Sequence, residues 1–210
     1  MVVIAGGDRP PSWFDLSELK GAWVVAADSG TDVALSAGIE VDLAVGDLDS
    51  VSPSGRGRAR QVSQHPADKD QTDLELALVI AASKSPERIV VIGGTGGRVD
   101  HFLVNAALIA APYRWGGQEV RSIAWITPEA TIHIVRESIE LSGRPGQIVS
   151  LIASGGPARG VTTVGLRWPL EGERIDPGST RTVSNEMIGD TAAISVAAGV
   201  LMVVHVGGRL

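Results

Sequence analysis

Apolar residues in the first half of the chain fall into two spacings. Short unbroken runs occur in "VVIAGG" (2–7), "AWVVAADSG" (22–30), "DLAVGDLDS" (42–50) and "RIVVIGG" (88–94), each ending in Gly or Asp. Runs of this length, rich in Val and Ile, predict strands buried on both faces. Between them the period lengthens. "TDLELALVIAASKS" (72–85) predicts a helix with Leu74, Leu78 and Ala81 on one face, and Thr72 with Glu75 has capping-box spacing. "RVDHFLVNAALIAA" (98–111) predicts a second helix, and a shorter one runs from about Thr31 to Gly38. Strands alternating with helices predict a parallel α/β sheet.

The pattern changes near residue 126. "TIHIVRE", "GQIVSLIAS", "GVTTVGLRW", "RTVSNEM", "TAAISVAAG" and "VLMVVHV" are strand-length segments separated by Gly, Pro, Ser and Asp, with no helix of convincing length. This predicts a small β-sandwich or barrel. The expected organisation is an α/β parallel-sheet (Rossmann-like) domain over 1–126 and an all-β sandwich domain over 127–210.

Composition narrows the function. An apolar fraction of 44% and a charged fraction of 20% fit a folded globular chain. The net charge of −6 argues against a general nucleic-acid binder, although a metal ion can still recruit an anionic substrate. With no cysteine, disulfides and thiolate metal sites are excluded, which fits a cytoplasmic protein. "MVVIAGGDRPP" lacks the pattern of a signal peptide, and no stretch is apolar enough for long enough to span a membrane.

The polar residues that end the strands are the candidate chemistry. In an open parallel sheet, ligands gather at the carboxyl ends of strands. Asp28 follows the second strand and Asp47 and Asp49 follow the third; continued as a strand, the last two share one side. Asp70 and Asp73 stand just before and at a helix start. Any one of these is equally well a turn or cap residue, but together they form an oxygen-donor set that suits magnesium. "GGTGGRVDH" (93–101) fits neither the P-loop nor the dinucleotide glycine code. Its glycines still let a backbone approach phosphate at a helix N-terminus, and Arg98 can grip phosphate oxygens bidentately. Asp100 would repel an anion there, so it is read as a partner for a cation or for a neutral substrate's donor group, or as a complement to the helix dipole. His101 and Asn105 share a helix face, and His101 either binds a ligand, orders Asp100 or is a structural residue. His65, His133 and His205 have no metal-ligand spacing. Trp168, beside Pro169, either fills the β core or offers a flat face to a ring, and Ser184 and Asn185 are turn residues or partners for a polar ring edge.

"AADSG", "GDLDS", "KDQTDLELAL" and "GGTGGRVDHFLVN", followed by "VTTVGLRWPL" and "TVSNE", resemble the motifs of the thiamine pyrophosphokinase family, in its order and over nearly the whole chain. The resemblance implies transfer of the terminal pyrophosphoryl group of ATP to the hydroxyl of thiamine, giving thiamine diphosphate and AMP. It implies Mg2+ held by Asp47, Asp49 and Asp70, with Asp100 completing the catalytic group. ATP would meet Asp28, Ser29, Gly94, Gly97, Arg98 and His101. Thiamine would meet Trp168, Ser184, Asn185 and Asp73. A homodimer with active sites at the subunit interface is also implied. Asp100 and Asp70 both remain as acceptors of the hydroxyl proton. Other readings are a diphosphokinase for another heterocyclic alcohol such as a hydroxymethyl-pterin, a metal-dependent nucleotide phosphohydrolase, and a non-catalytic thiamine- or nucleotide-binding module. Two stretches depart from the family pattern: "GGDRPP" lacks the Asn-Gly expected after the first strand, and the Arg- and Gly-rich segment between Ser50 and Gln64 matches none of its motifs.

Overall fold

The computed structural model describes residues 1–111, 115 and 120–210. Two compact units are present: one holds residues 1–108 and runs on to Pro128, and the other holds 129–210 with 109–111.

In the first unit, β1 (Val2–Ile4), β2 (Val24–Ala27), α1 (Gly30–Ser36), β3 (Leu43–Gly46), α2 (Pro53–Arg56), β4 (Gln61–Gln64), α3 (Asp73–Ser83), β5 (Arg88–Ile92), α4 (Val99–Ile109) and β6 (Ser122–Ile126) follow in chain order. A 3₁₀ turn spans Leu16–Leu19, with Asp15 accepting the Ser17 N–H as its cap. The strands lie in the order β4-β3-β2-β1-β5-β6 and every pairing is parallel. Val3, Ile4, Val25, Ala26, Val45, Val91 and Ile92 are buried, as unbroken apolar runs require in a sheet covered on both faces. α3 is capped by Thr72, whose hydroxyl accepts the Glu75 N–H, and it buries Leu74, Ala77, Leu78, Ala81 and Ala82. The order reverses at β1, whose neighbours are β2 on one side and β5 on the other. Such a reversal opens a crevice at the carboxyl ends of the two strands.

The second unit is built from β7 (Ala130–Val135), β8 (Ser138–Ser142), β9 (Ile148–Val164), β10 (Glu173–Ile175), β11 (Asn185–Glu186), β12 (Thr191–Ser195) and β13 (Ala198–Val206). Its pairings are antiparallel, in the order β7-β13-β9-β12-β8, with β10 and β11 also on β9. Val149, Leu151, Leu166, Met187, Ile194, Leu201 and Val203 belong to its core.

Several expectations need revision. "GQIVSLIAS" and "GVTTVGLRW" belong largely to one strand, β9, which runs through "GGPARG" and pairs with β13 before it and β12 after it. Gly155 at φ 70° and Gly160 at φ 64° turn the strand without ending it. "RTVSNEM" contributes only the two residues of β11. β4 forms where only an unassigned segment stood, because "QVSQ" has no apolar run and is held by backbone pairing with β3.

Candidate active site

Each carboxyl end in the first unit is shaped by a local conformation. Asp28 follows β2 at φ 44°, its N–H donating to Val45 O (2.8 Å) and its carbonyl accepting the Thr31 N–H (2.9 Å). Asp47 follows Gly46, the last residue of β3, and its Oδ1 accepts the Asp49 N–H at 3.2 Å. Leu48 then adopts φ 61°, so the chain does not continue as a strand. Asp47 and Asp49 therefore do not share a strand face: Asp47 is half-buried, whereas Asp49 is exposed and accepts the Ser50 hydroxyl at 2.8 Å. Asp73 opens α3 and packs on Gly46, where a Cβ would stand 2.8 Å from its carboxylate.

The fold brings Asp28, Asp47 and Asp73 together, one carboxylate oxygen of each within 4.8 Å of the others. They line a cleft of about 540 Å³ with Ser29, Lys69, Gly94, Arg98, His101 and Asn105. Asp49, Asp70, Gly97 and Asp100 are exposed and do not line it. Burial is the main cause that pushes the Asp28 carboxyl above its usual range. The charges of Asp73, Asp47 and Asp49 act in the same direction, against the backbone N–H of Ser29. Asp28 Oδ1 is buried without a hydrogen-bond partner among the described residues. Three clustered carboxylates and an unpartnered buried oxygen fit a hard cation with oxygen ligands. Lys69, whose Nζ lies 3.0 Å from Asp73 Oδ1, supplies a positive charge at one edge.

The glycine loop reaches the same cleft from β5. Gly93, Gly94, Gly96 and Gly97 all have positive φ. Trp125 donates to Gly93 O (2.7 Å) and Asn105 Nδ2 to Gly94 O (3.0 Å), so the loop is anchored from β6 and α4. The divergent "GGDRPP" packs against it: the Asp8 N–H donates to Thr95 O at 2.9 Å, and a Cβ on Gly96 would meet the Asp8 carboxylate at 2.5 Å. Arg98 and Asp100 form a bidentate pair, Nε to Oδ1 at 3.1 Å and Nη2 to Oδ2 at 2.5 Å. That hydrogen-bonded guanidinium holds the Asp100 carboxyl down at about 2. Asp100 is therefore paired with Arg98, two residues before it. Lys69 and Asn105 were within reach of sequence reasoning, since one lies inside "KDQTD" and the other is one turn from His101. Asp8 carried no signal, because only the packing of two loops reveals it.

In the second unit, Trp168 is 54% exposed, which removes the core-filling reading. The Arg167 guanidinium lies 5.1 Å from its ring centroid. The Trp168 N–H donates to Asn185 Oδ1 (3.1 Å), and Asn185 Nδ2 donates to Trp168 O (2.7 Å). Asn185, itself buried, therefore fixes the backbone of Trp168. Ser184 stands beside it at φ 59°, its N–H donating to the Ser150 hydroxyl at 2.9 Å.

A family model described as "Thiamin pyrophosphokinase, catalytic domain" matches residues 17–117, and one described as "Thiamin pyrophosphokinase, vitamin B1 binding domain" matches 129–201. A thiamine pyrophosphokinase of Bacillus subtilis is 32% identical over 97% of this chain and 96% of its own length. The chain belongs to the thiamine pyrophosphokinase family. Solved members share its structure. The Bacillus subtilis thiamine pyrophosphokinase superposes with a TM-score of 0.81 at 30% identity, covering 98% of this chain and 97% of that one. A thiamin pyrophosphokinase family protein of Enterococcus faecalis reaches 0.80 at 29% identity with the same coverage. The half-buried aspartates and the glycine loop thus lie within the stretch matched by the family's catalytic-domain model, and Trp168 and Asn185 within the stretch matched by its vitamin B1 model.

Proposed function

We propose that this chain transfers the terminal pyrophosphoryl group of ATP to the hydroxyl of thiamine, yielding thiamine diphosphate and AMP. The observation that carries the reading is the meeting of Asp28, Asp47 and Asp73 with the Gly93–Arg98 loop in one cleft at the sheet's switch point. A triphosphate needs a backbone able to approach it closely, a guanidinium, and carboxylates to hold its counter-cation. In this reading the parallel unit is a Rossmann-like ATP domain over about 1–126, and the antiparallel unit is a thiamine-binding β-sandwich. Asp47, Asp28 and Asp73 hold Mg2+, with Asp49 and Asp70 adding negative field from the rim. Bound there, Mg2+ would neutralise triphosphate charge.

The protein's own groups do the rest. Ser29, Gly94, Arg98 and His101 orient the triphosphate so that its β-phosphorus faces the acceptor. The hydroxyl oxygen of thiamine bonds to the β-phosphorus as the bond to the α-bridging oxygen breaks, and AMP leaves with that electron pair. An aspartate takes the hydroxyl proton. With Asp28 committed to the cation, Asp70 and Asp100, which Arg98 holds ionised, are the candidates for that task. Catalysis of this kind rests on positioning and charge stabilisation. The exposed apolar residues Val99, Phe102, Leu103 and Val104 support a homodimer with active sites at the subunit interface. Among the described residues no helix is long and apolar enough to cross a membrane, and a cytoplasmic enzyme completes the reading.

The test is to incubate the protein with Mg-ATP and thiamine and to separate the products by chromatography. Thiamine diphosphate and AMP in equal amounts are expected, and Asp47→Asn should lower the rate by at least about 100-fold. AMP or ADP formed without thiamine would point to a phosphohydrolase. Binding without turnover would point to a sensing module.

A further inference from the structure

The segment after the acidic loop, residues 51–64, matched none of the family's motifs, yet the structure ties it to that loop. The Ser52 N–H donates to Asp32 Oδ2 at 2.8 Å and the Ser52 hydroxyl to Asp32 Oδ1 at 2.6 Å. The Gly55 N–H donates in turn to the Ser52 hydroxyl at 3.0 Å, which caps α2. A Cβ on Gly55 would stand 2.4 Å from Asp32 Oδ1, so the carboxylate is admitted because that residue is glycine. At the other end, the Arg56 guanidinium donates to the carbonyl of Leu48. Leu48 is the non-glycine residue held at φ 61°, and its side chain is buried with Ala44 and Val51. An L-residue avoids this conformation unless its surroundings impose it. The carbonyl captured by Arg56 and the side chain trapped below supply that imposition.

We propose that Asp32 and Arg56 are positioning residues that clamp the acidic loop at Ser52 and Leu48, keeping the Asp47 carboxylate turned to the cation site. The inference rests on the proposed metal-ATP reading of the cleft. Asp32 stands in the first turn of α1, where a carboxylate also complements the helix dipole. That role alone needs no bond to Ser52 and none to the loop. The two bonds from Ser52 instead connect the helix that follows β2 to the loop that follows β3, the elements after which Asp28 and Asp47 stand. Carboxylates that must share one ion are then held by a single brace. Groups of this kind, which orient ligands without touching the ion, are typically worth about 10–100-fold in metal affinity.

The experiment titrates Mn2+ into the full chain without nucleotide and follows free Mn2+ by electron paramagnetic resonance, with circular dichroism melts alongside. Asp32→Ala should weaken Mn2+ binding by about 10–100-fold. Asp32→Asn, which keeps an acceptor for the Ser52 N–H, should lose less, and thiamine binding should not change in either. A folded Asp32→Ala protein that binds Mn2+ like wild type overturns the proposal. If that variant does not fold, Ser52→Ala and Arg56→Met make the same comparison, and wild-type Mn2+ affinity in both overturns it. A wild type that binds no Mn2+ removes the ion that the clamp serves and overturns it as well. A wild type that binds Mn2+ but forms no thiamine diphosphate defeats the proposed reaction, while the variant comparison still decides the clamp.

Discussion

Trp168 presents a large apolar ring to solvent while its backbone is pinned on both sides by Asn185. An exposed indole on a fixed backbone is pre-organised for stacking, because little freedom remains to be lost on binding. Arg167 lies over part of the ring, and in the proposed reading thiamine stacks on the remaining surface. Thiamine offers a cationic ring and an aminopyrimidine, and aromatic contacts of this kind contribute about 0.5–2 kcal/mol. Trp168→Ala should therefore weaken thiamine binding by roughly 2–30-fold and leave the melting temperature nearly unchanged. Trp168→Phe should recover part of the loss. Calorimetric titration of thiamine and of ATP into each variant checks this, and an equal loss for both ligands together with a lower melt would indicate packing instead. At this scale the sequence identified the tryptophan but left its burial open, since burial is a property of neighbours it does not name. Ser184 and Asn185 were read as turn residues or as partners for a polar ring edge, and Asn185 in fact opens β11. The commitment of Asn185 to a backbone seventeen positions away was not legible.

Most elements with an apolar period were legible, but β6, whose Ile123–Ile126 run is apolar and buried, and β8 were not read from the sequence. α3 and α4 and the strands β1, β2, β3 and β5 follow directly from their runs. β4 escaped because its residues are polar, and β9 was divided because "GGPARG" reads as a turn when no partner strand is in view. β13 carries a further consequence in His205, which pairs with Thr131 of β7 and Val149 of β9 and is fully buried. Both ring nitrogens lack a hydrogen-bond partner among the described residues. Burial lowers its pKa below the ordinary 6.5, so the folded state holds the neutral form. Well above pH 6.5 neither state is protonated, and the histidine adds no pH dependence. As pH falls below 6.5 the unfolded chain takes up a proton that the folded chain refuses, so stability declines until the folded pKa is reached. Thermal melts at successive pH values should show this decline, and His205→Gln should flatten it. An identical pH dependence in the variant would remove His205 as its cause.

At the scale of the whole molecule, α4 carries the argument for assembly. Val99, Phe102, Leu103 and Val104 are all exposed within the first turns of α4, an apolar surface beside the Arg98–Asp100 pair. Exposed apolar residues clustered in this way support the proposed homodimer. The proposed homodimer predicts that the wild type sediments at twice the mass of its 21.8 kDa chain. Leu103→Asp, which buries a charge in any such interface, should shift it towards monomer and lower turnover in parallel. A variant that remains dimeric would place the interface elsewhere.

Local sequence determined the strand–helix alternation, the glycine loop, the helix caps and the turn to antiparallel strands after residue 126, because each depends on residues a few positions apart. Six motifs in order were enough to indicate the family. The tertiary structure alone decided which carboxylates meet. Asp28, Asp47 and Asp73 converge because β1, β2 and β3 are neighbours in one sheet and α3 returns across them, with Gly46 leaving room for Asp73. Asp49, read as the partner of Asp47, turns to solvent because Leu48 takes a left-handed conformation imposed by Arg56 and a buried pocket. Spacing along a chain predicts a shared face only while the backbone stays regular, and at the ends of these strands long-range contacts set the backbone.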